Sequence, residues 1–228
     1  NGSHSHIDIS SFVLYWNGME IIVDPGRYSY LSSNKFSQYG YSSRSHNNIM
    51  VDKMEPLLLS KLRKYPFIYR KENVTTEWQQ KENNITMKIS NQGYRRIKSD
   101  KIDHIRSFII SDNQLVIEDT LNGNKRHIVE TFLHIGLGIH VDQYMESKQC
   151  VKYNLIRGNQ NISSITREII TSDKDHVTSN ELYHGSCDPF IAGWYFPSYG
   201  EKIKTSTIIF KDRVKFPFKS VQKIIFNE

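Results

Sequence analysis

Cysteine is almost missing. Cys150 and Cys187 are the only two in 228 residues. Two cysteines cannot build a disulfide framework and do not form a CxxC metal motif, so at most one bridge is open. No apolar run approaches the ~20 residues of a membrane-spanning helix, and no leader of the charged-then-apolar kind opens the chain. Long helical periodicity is also lacking; the one helix candidate is Pro56–Lys64, carrying Leu57, Leu58, Leu59 and Leu62. RNP-like, helix-turn-helix and zinc-finger spacings are absent, so no nucleic-acid partner is expected. There is no initiator Met. The chain opens Asn1-Gly2-Ser3-His4 with a motif directly after, and is expected to be a piece whose upstream region is absent. The missing leader therefore says nothing about secretion.

What is present is β-rich. Aromatics are plentiful, with 13 Tyr, 11 Phe and 3 Trp, and 38% of residues are hydrophobic, enough for one sizeable core. Phe12–Trp16 leads through Asn17-Gly18 into Met19–Val23, and an Asn-Gly pair between such runs marks a tight hairpin. Asp24-Pro25-Gly26 stops the second strand. Residues 31–45, rich in Ser, Asn, Gln, Gly and Tyr, read as a long loop. Strands are expected at Phe67–Arg70, Thr75–Gln79, Ile85–Ser90, Tyr94–Lys98, Ile105–Ile110, Gln114–Asp119, His127–Leu133, Ile139–Asp142, Val151–Ile156, Ser164–Ile169 and Thr205–Phe210. Short strands with turn chemistry between them point to a single antiparallel β-sandwich over 1–228, two packed sheets with few or no helices. The net charge of +6 fits an acidic polymer as partner, and dispersed basic pairs suit solvated strand edges.

Chemistry concentrates in His4-Ser5-His6-Ile7-Asp8. If this segment is extended, His4, His6 and Asp8 share one face, because side chains alternate with period two. Two imidazoles and a carboxylate suit a divalent metal better than a core. Asp24 in its tight turn and His46 after the polar loop are the further donors that could converge there. Such a set of N and O donors suits zinc completed by water.

Three segments together resemble the heparinase II/III-like polysaccharide lyases. Gly2–Phe12 is similar to their GHxHxDxxSF segment, Val23–Tyr30 to VDPGTYxY, and Arg44–Asp52 to RxxxAHNTVxVD. Weaker similarity runs through His104–Asn122, His127–His134 and Gly193–Lys204. The departures are Arg27 for Thr, Ser45 for Ala and Asn48 for Thr. The resemblance implies the family's C-terminal β-sandwich, a periplasmic or secreted setting, and an upstream α/α toroid domain that carries a catalytic Tyr and an Asn or His. It implies β-elimination on a uronate-containing polysaccharide, with His6, Asp24 and His46 as metal ligands and His4 as the catalytic histidine facing the cleft. Asp8 is a geometric candidate for orienting a metal-bound histidine, Asn47 falls within the third segment, and Tyr28, Tyr30 and Arg44 either touch sugar or brace the loop. The fragment alone is expected to be inactive. Competing readings are a non-catalytic carbohydrate-binding or structural sandwich, an enzyme of a surface-polysaccharide assembly locus, and a cupin-like metal oxygenase, which the DPG turn and the His46-Asn47 segment fit poorly.

Overall fold

The computed structural model describes residues 6–31, 33–56 and 74–227. In chain order the elements are β1 (Leu14–Trp16), β2 (Met19–Ile22), α1 (Lys35–Tyr41), β3 (Ile49–Val51), β4 (Val74–Lys81), β5 (Asn84–Asn91), β6 (Asp103–Ser111) and β7 (Gln114–Asn122). There follow β8 (Arg126–His134), β9 (His140–Glu146), β10 (Cys150–Arg157), β11 (Gln160–Ile170), β12 (Val177–His184), β13 (Trp194–Tyr195), β14 (Ile203–Lys204), β15 (Ser206–Lys215) and β16 (Phe218–Phe226). The protein is mainly β and antiparallel, with few helices.

Two compact units divide the chain. One draws on residues up to 56, Val129–Ile139 and Ser179–Lys211; the other on residues 74–128, His140–Thr178 and residues 212–227. The second unit holds an eight-stranded sheet in the order β4-β5-β6-β7-β16-β11-β10-β9. Alternation builds it: in β7, Leu115, Ile117, Asp119 and Leu121 are buried while their neighbours are half exposed. Along that buried face, Arg106 of β6 sits opposite Asp119 of β7 in register and pairs with it at 2.8 Å, and His104 reaches the same carboxylate at 2.7 Å. Burial alone would raise the Asp119 carboxyl, but the Arg106 charge and the hydrogen bonds from His104 and Arg106 outweigh it and hold it ionised. Arg167 and Asp212 form a second buried pair.

The first unit holds the β1–β2 hairpin, α1, the β13–β14 pair and most of a four-stranded sheet ordered β12-β15-β8-β3. Asn17 and Gly18 both take positive φ, as a twist-matched two-residue hairpin turn requires. Its aromatic cluster of Tyr39, Trp194 and Phe196 is joined by Tyr28, Phe36 and Ile191.

Several elements depart from the sequence expectation. Residues 31–45 are not one loop: Asn34 accepts from the Phe36 and Ser37 N–H groups and so caps α1, and Ser43–Ser45 adds a 3₁₀ turn. Tyr94–Lys98 is no strand; Gly93–Arg96 is a 3₁₀ turn, begun where the Asn91 side chain accepts from Gly93 N–H, and it buries Tyr94. The strands β3, β12 and β16 were not foreseen, and β16 lies in the middle of the large sheet. The helix candidate beyond Pro56 and the strand expected at Phe67–Arg70 lie outside the described residues. Cys150 and Cys187 are both free thiols, so the possible bridge is not formed. Among the described residues no helix is long and apolar enough to cross a membrane.

Candidate functional site

Three irregular segments of the first unit meet around His46. Ile7 N–H donates to Tyr41 O at 3.1 Å, and Ile7 O accepts from Ser43 Oγ at 3.0 Å. These bonds pin residues 6–8 against the stretch leading to His46. Val23 N–H donates to His134 O at 3.0 Å and Phe196 N–H to Pro25 O at 2.8 Å, which fixes the turn bearing Asp24. Gly40 lets α1 approach that turn: a Cβ there would stand 3.2 Å from Gly26 O. Asn47 ties the segments together. Its amide donates to Phe12 O at 2.7 Å and Val23 O at 2.9 Å, its Oδ1 accepts from His134 N–H at 2.7 Å, and its own N–H donates to Ser11 Oγ at 3.0 Å.

This framework brings together three of the residues expected to hold a metal. His46, 1% exposed, places Nδ1 at 2.7 Å from Asp24 Oδ2. Asp24 Oδ1 accepts from Gly26 N–H at 2.9 Å. The His6 and His46 ring centroids lie 5.2 Å apart. Burial would raise the Asp24 carboxyl, yet the hydrogen bond and charge of His46 and the Gly26 N–H hold it below the usual range. Burial and the His46 ring push His6 down, against the opposing charges of Asp24 and Asp8, so His6 is neutral at physiological pH.

Zinc chemistry can be tested against this geometry. His46 Nε2 is buried with no hydrogen-bond partner, and an imidazole oriented by a carboxylate at Nδ1 offers that nitrogen to a metal. Two imidazoles on one tetrahedral zinc put their centroids ~5 Å apart, close to the His6–His46 spacing. The donor types and this pair fit zinc. Asp24 is turned toward His46 Nδ1, and among the described residues no group of three or more His, Cys, Asp or Glu side chains is arranged to hold an ion.

The remaining expected residues separate. His4 lies outside the described residues. Residues 6–8 are not a strand: the backbone bends at Ile7, which is buried, while Asp8 is exposed and acts on His6 through its charge. Arg44 is a brace: Nη2 bonds both Glu130 oxygens, at 3.2 and 3.0 Å, and the guanidinium stands over Phe190. Tyr28 is packed on Phe36 and Phe196. Tyr30 is 55% exposed.

His134 is a component the sequence reading did not single out. It ends β8, is buried, and bonds Thr207 Oγ1 through Nδ1 at 2.9 Å. Burial drives its pKa down to about 3, with Asp24 and His46 as electrostatic neighbours. Its one signal was its place at the end of the weakly similar stretch His127–His134.

A family model described as Heparinase II/III-like, C-terminal, matches residues 1–224. No curated protein matches. Among solved structures, the Heparinase III-BT4657 gene product superposes with a TM-score of 0.68 at 17% identity, over 97% of this chain and 30% of that one. Heparan sulfate lyase HepC from Pedobacter heparinus gives 0.69 at 14% identity, over 98% and 31%. A structure of heparinase III gives 0.64 at 16% identity, over 98% and 30%. At these identities the likeness is one of fold, and this chain spans about a third of the length of those proteins.

Proposed function

The chain belongs to the heparinase II/III-like C-terminal family, and from that membership we propose that it forms part of a polysaccharide lyase that cleaves a uronate-containing chain by β-elimination. In that reaction a base takes the proton alpha to the uronate carboxyl. The bond to the leaving glycosidic oxygen breaks, that oxygen gains a proton, and an unsaturated uronate remains. The unfavourable step is charge build-up on the uronate carboxylate, which positioned donors and cations must offset. His4 is the proposed proton-transfer group, carried over from the family motif.

The observation that supports this reading is the convergence of His6, Asp24 and His46 from three separate motif segments, with the buried His46 Nε2 left to bind. We assign His6 and His46 as the metal-binding pair and Asp24 as the residue that orients His46. The His6 and His46 ring nitrogens would bind, with the Asp24 carboxylate fixing the His46 tautomer. A bound divalent ion would supply a fixed positive charge that locks residues 6–8 to the His46 segment. The chain's own residues then present the stretch carrying His4 in one orientation.

Elemental analysis and a lyase assay on the full-length protein test this. About one zinc per chain is expected in the wild type, with release of unsaturated uronate from an acidic polysaccharide. His46→Ala is expected to lose the metal and at least tenfold in rate, and the isolated 228-residue chain to release no product. Full activity in a metal-free His46→Ala protein would sink the assignment.

A further inference from the structure

A second group of side chains lies beside this centre. The Arg27 guanidinium carbon stands 4.0 Å from the Tyr30 ring centroid and 3.9 Å from that of Tyr41. Its Nε donates to Ser29 O at 3.1 Å. Held between two rings and by its own turn, the guanidinium has a fixed plane and direction. Tyr41 in turn meets the His6 ring edge-on at 5.7 Å, so a single ring separates Arg27 from the histidine centre.

On the other side, Tyr30 stacks on Tyr199 with centroids 6.0 Å apart and planes within 25°. These rings are 55% and 63% exposed. Gly200 N–H donates to Tyr28 O at 2.8 Å, which ties the Tyr199 turn to the strand-like stretch bearing Arg27 and Tyr30. Lys202, held over Phe36 at 3.9 Å, adds a second cation on the same turn. Singly exposed aromatics are ordinary. A contiguous shelf of two exposed rings ending in a clamped guanidinium, next to the histidine centre, is a built surface.

We propose that Arg27, Tyr30 and Tyr199 form a recognition subsite for an acidic sugar, in which the two rings take the apolar face of the sugar and Arg27 takes its carboxylate. The subsite rests on the lyase reading for its ligand class. A planar carboxylate matches the guanidinium fork in a bidentate pair, which gives direction as well as strength.

The test is calorimetric titration of the full chain with an unsulfated hexasaccharide of alternating glucuronate and N-acetylglucosamine, and with the same hexasaccharide after its carboxyls are reduced to alcohols. Arg27→Thr is expected to weaken the acidic probe at least tenfold and leave the reduced probe unchanged. Arg27→Lys should recover part of the loss, and Tyr199→Ala should weaken both probes by a similar factor. The subsite is overturned if Arg27→Thr binds the acidic probe as tightly as wild type. It is equally overturned if that variant loses both probes alike, or if the wild type binds neither. Lyase activity is read separately, on the full-length protein, through unsaturated uronate. Arg27-dependent binding without cleavage removes the lyase reading alone; cleavage with Arg27-independent binding removes the subsite alone.

Discussion

Acid should destabilise the first unit through His134, by an amount that can be worked out. Burial puts its folded pKa at about 3, against 6.5 for an exposed imidazole. Above pH 6.5 the ring is neutral in both folded and unfolded chains, and its contribution to stability is constant. Between pH 6.5 and about 3 the unfolded chain binds a proton that the folded chain refuses, so stability falls as pH falls. One proton corresponds to about 1.4 kcal/mol per pH unit, and the whole window to ~5 kcal/mol. From pH 6.5 to 5 the loss is ~2 kcal/mol, a large part of the stability of an ordinary domain. The variant is His134→Asn, whose side chain can still meet the Thr207 hydroxyl. It should cost roughly 1–3 kcal/mol at pH 7.5, with a flatter pH profile. Guanidinium unfolding in the presence of a chelator, followed by tryptophan fluorescence, reads the difference, because Trp194 is buried in this unit. His6 and His104, also pushed down by burial, are present in both proteins and cancel. Wild-type and variant stabilities that decline in parallel between pH 6.5 and 5 would refute the reasoning.

Three further perturbations follow from single side chains. Asn47→Ala leaves the Phe12 and Val23 carbonyls and the His134 N–H without their partner, and should cost about 3 kcal/mol or more in a denaturant titration. Arg106→Ala leaves Asp119 charged and buried, at a cost of about 3–5 kcal/mol, whereas Arg106→Met with Asp119→Leu should cost clearly less, since neither charge is then stranded. Gly193→Ala puts a Cβ 2.7 Å from Gly185 N, Thr205 O and Tyr183 O at a φ of +71°, and should lower the stability read by denaturant titration by more than ~2 kcal/mol.

What the sequence disclosed depended on how cleanly each segment expressed one physical rule. The Asn17-Gly18 hairpin and the alternation of β7 were readable because turn and burial patterns coincide with residue type. β16 was not readable. Its core-facing positions include Ser220 and Gln222, which are buried on the sheet's interior face and break the apolar alternation. The 3₁₀ turn at Tyr94 defeated a strand reading because an aromatic residue suits either, and the deciding contact is the Asn91 side chain on Gly93 N–H. The short helix α1 rests on a cap and on packing against the Asp24 turn rather than on any apolar period. At the site, His6, Asp24 and His46 stood out first as N and O donors beside tight turns and a polar loop, and the motif resemblance gave them the role of metal ligands. The extended conformation on which the alternation argument depends is broken at Ile7, where the backbone bends. His134 escaped because a buried histidine at the end of a strand looks like any strand residue.

The centre is built from separate irregular segments: His6, Asp24 and His46 come from three stretches, and none of the three residues lies in a strand. Irregular buried backbone must find other partners for its N–H and C=O groups. Here Asn47, Ser43, Ser11 and Asp24 supply them, each bonding a main-chain group within the three segments. Those polar side chains are why the stretches read as loops in sequence and yet are largely buried in the fold. None of these four bonds involves the Arg27 side chain, which bonds Ser29 O and stands against the Tyr30 and Tyr41 rings, so Arg27→Thr is expected to leave the seating of His46 intact.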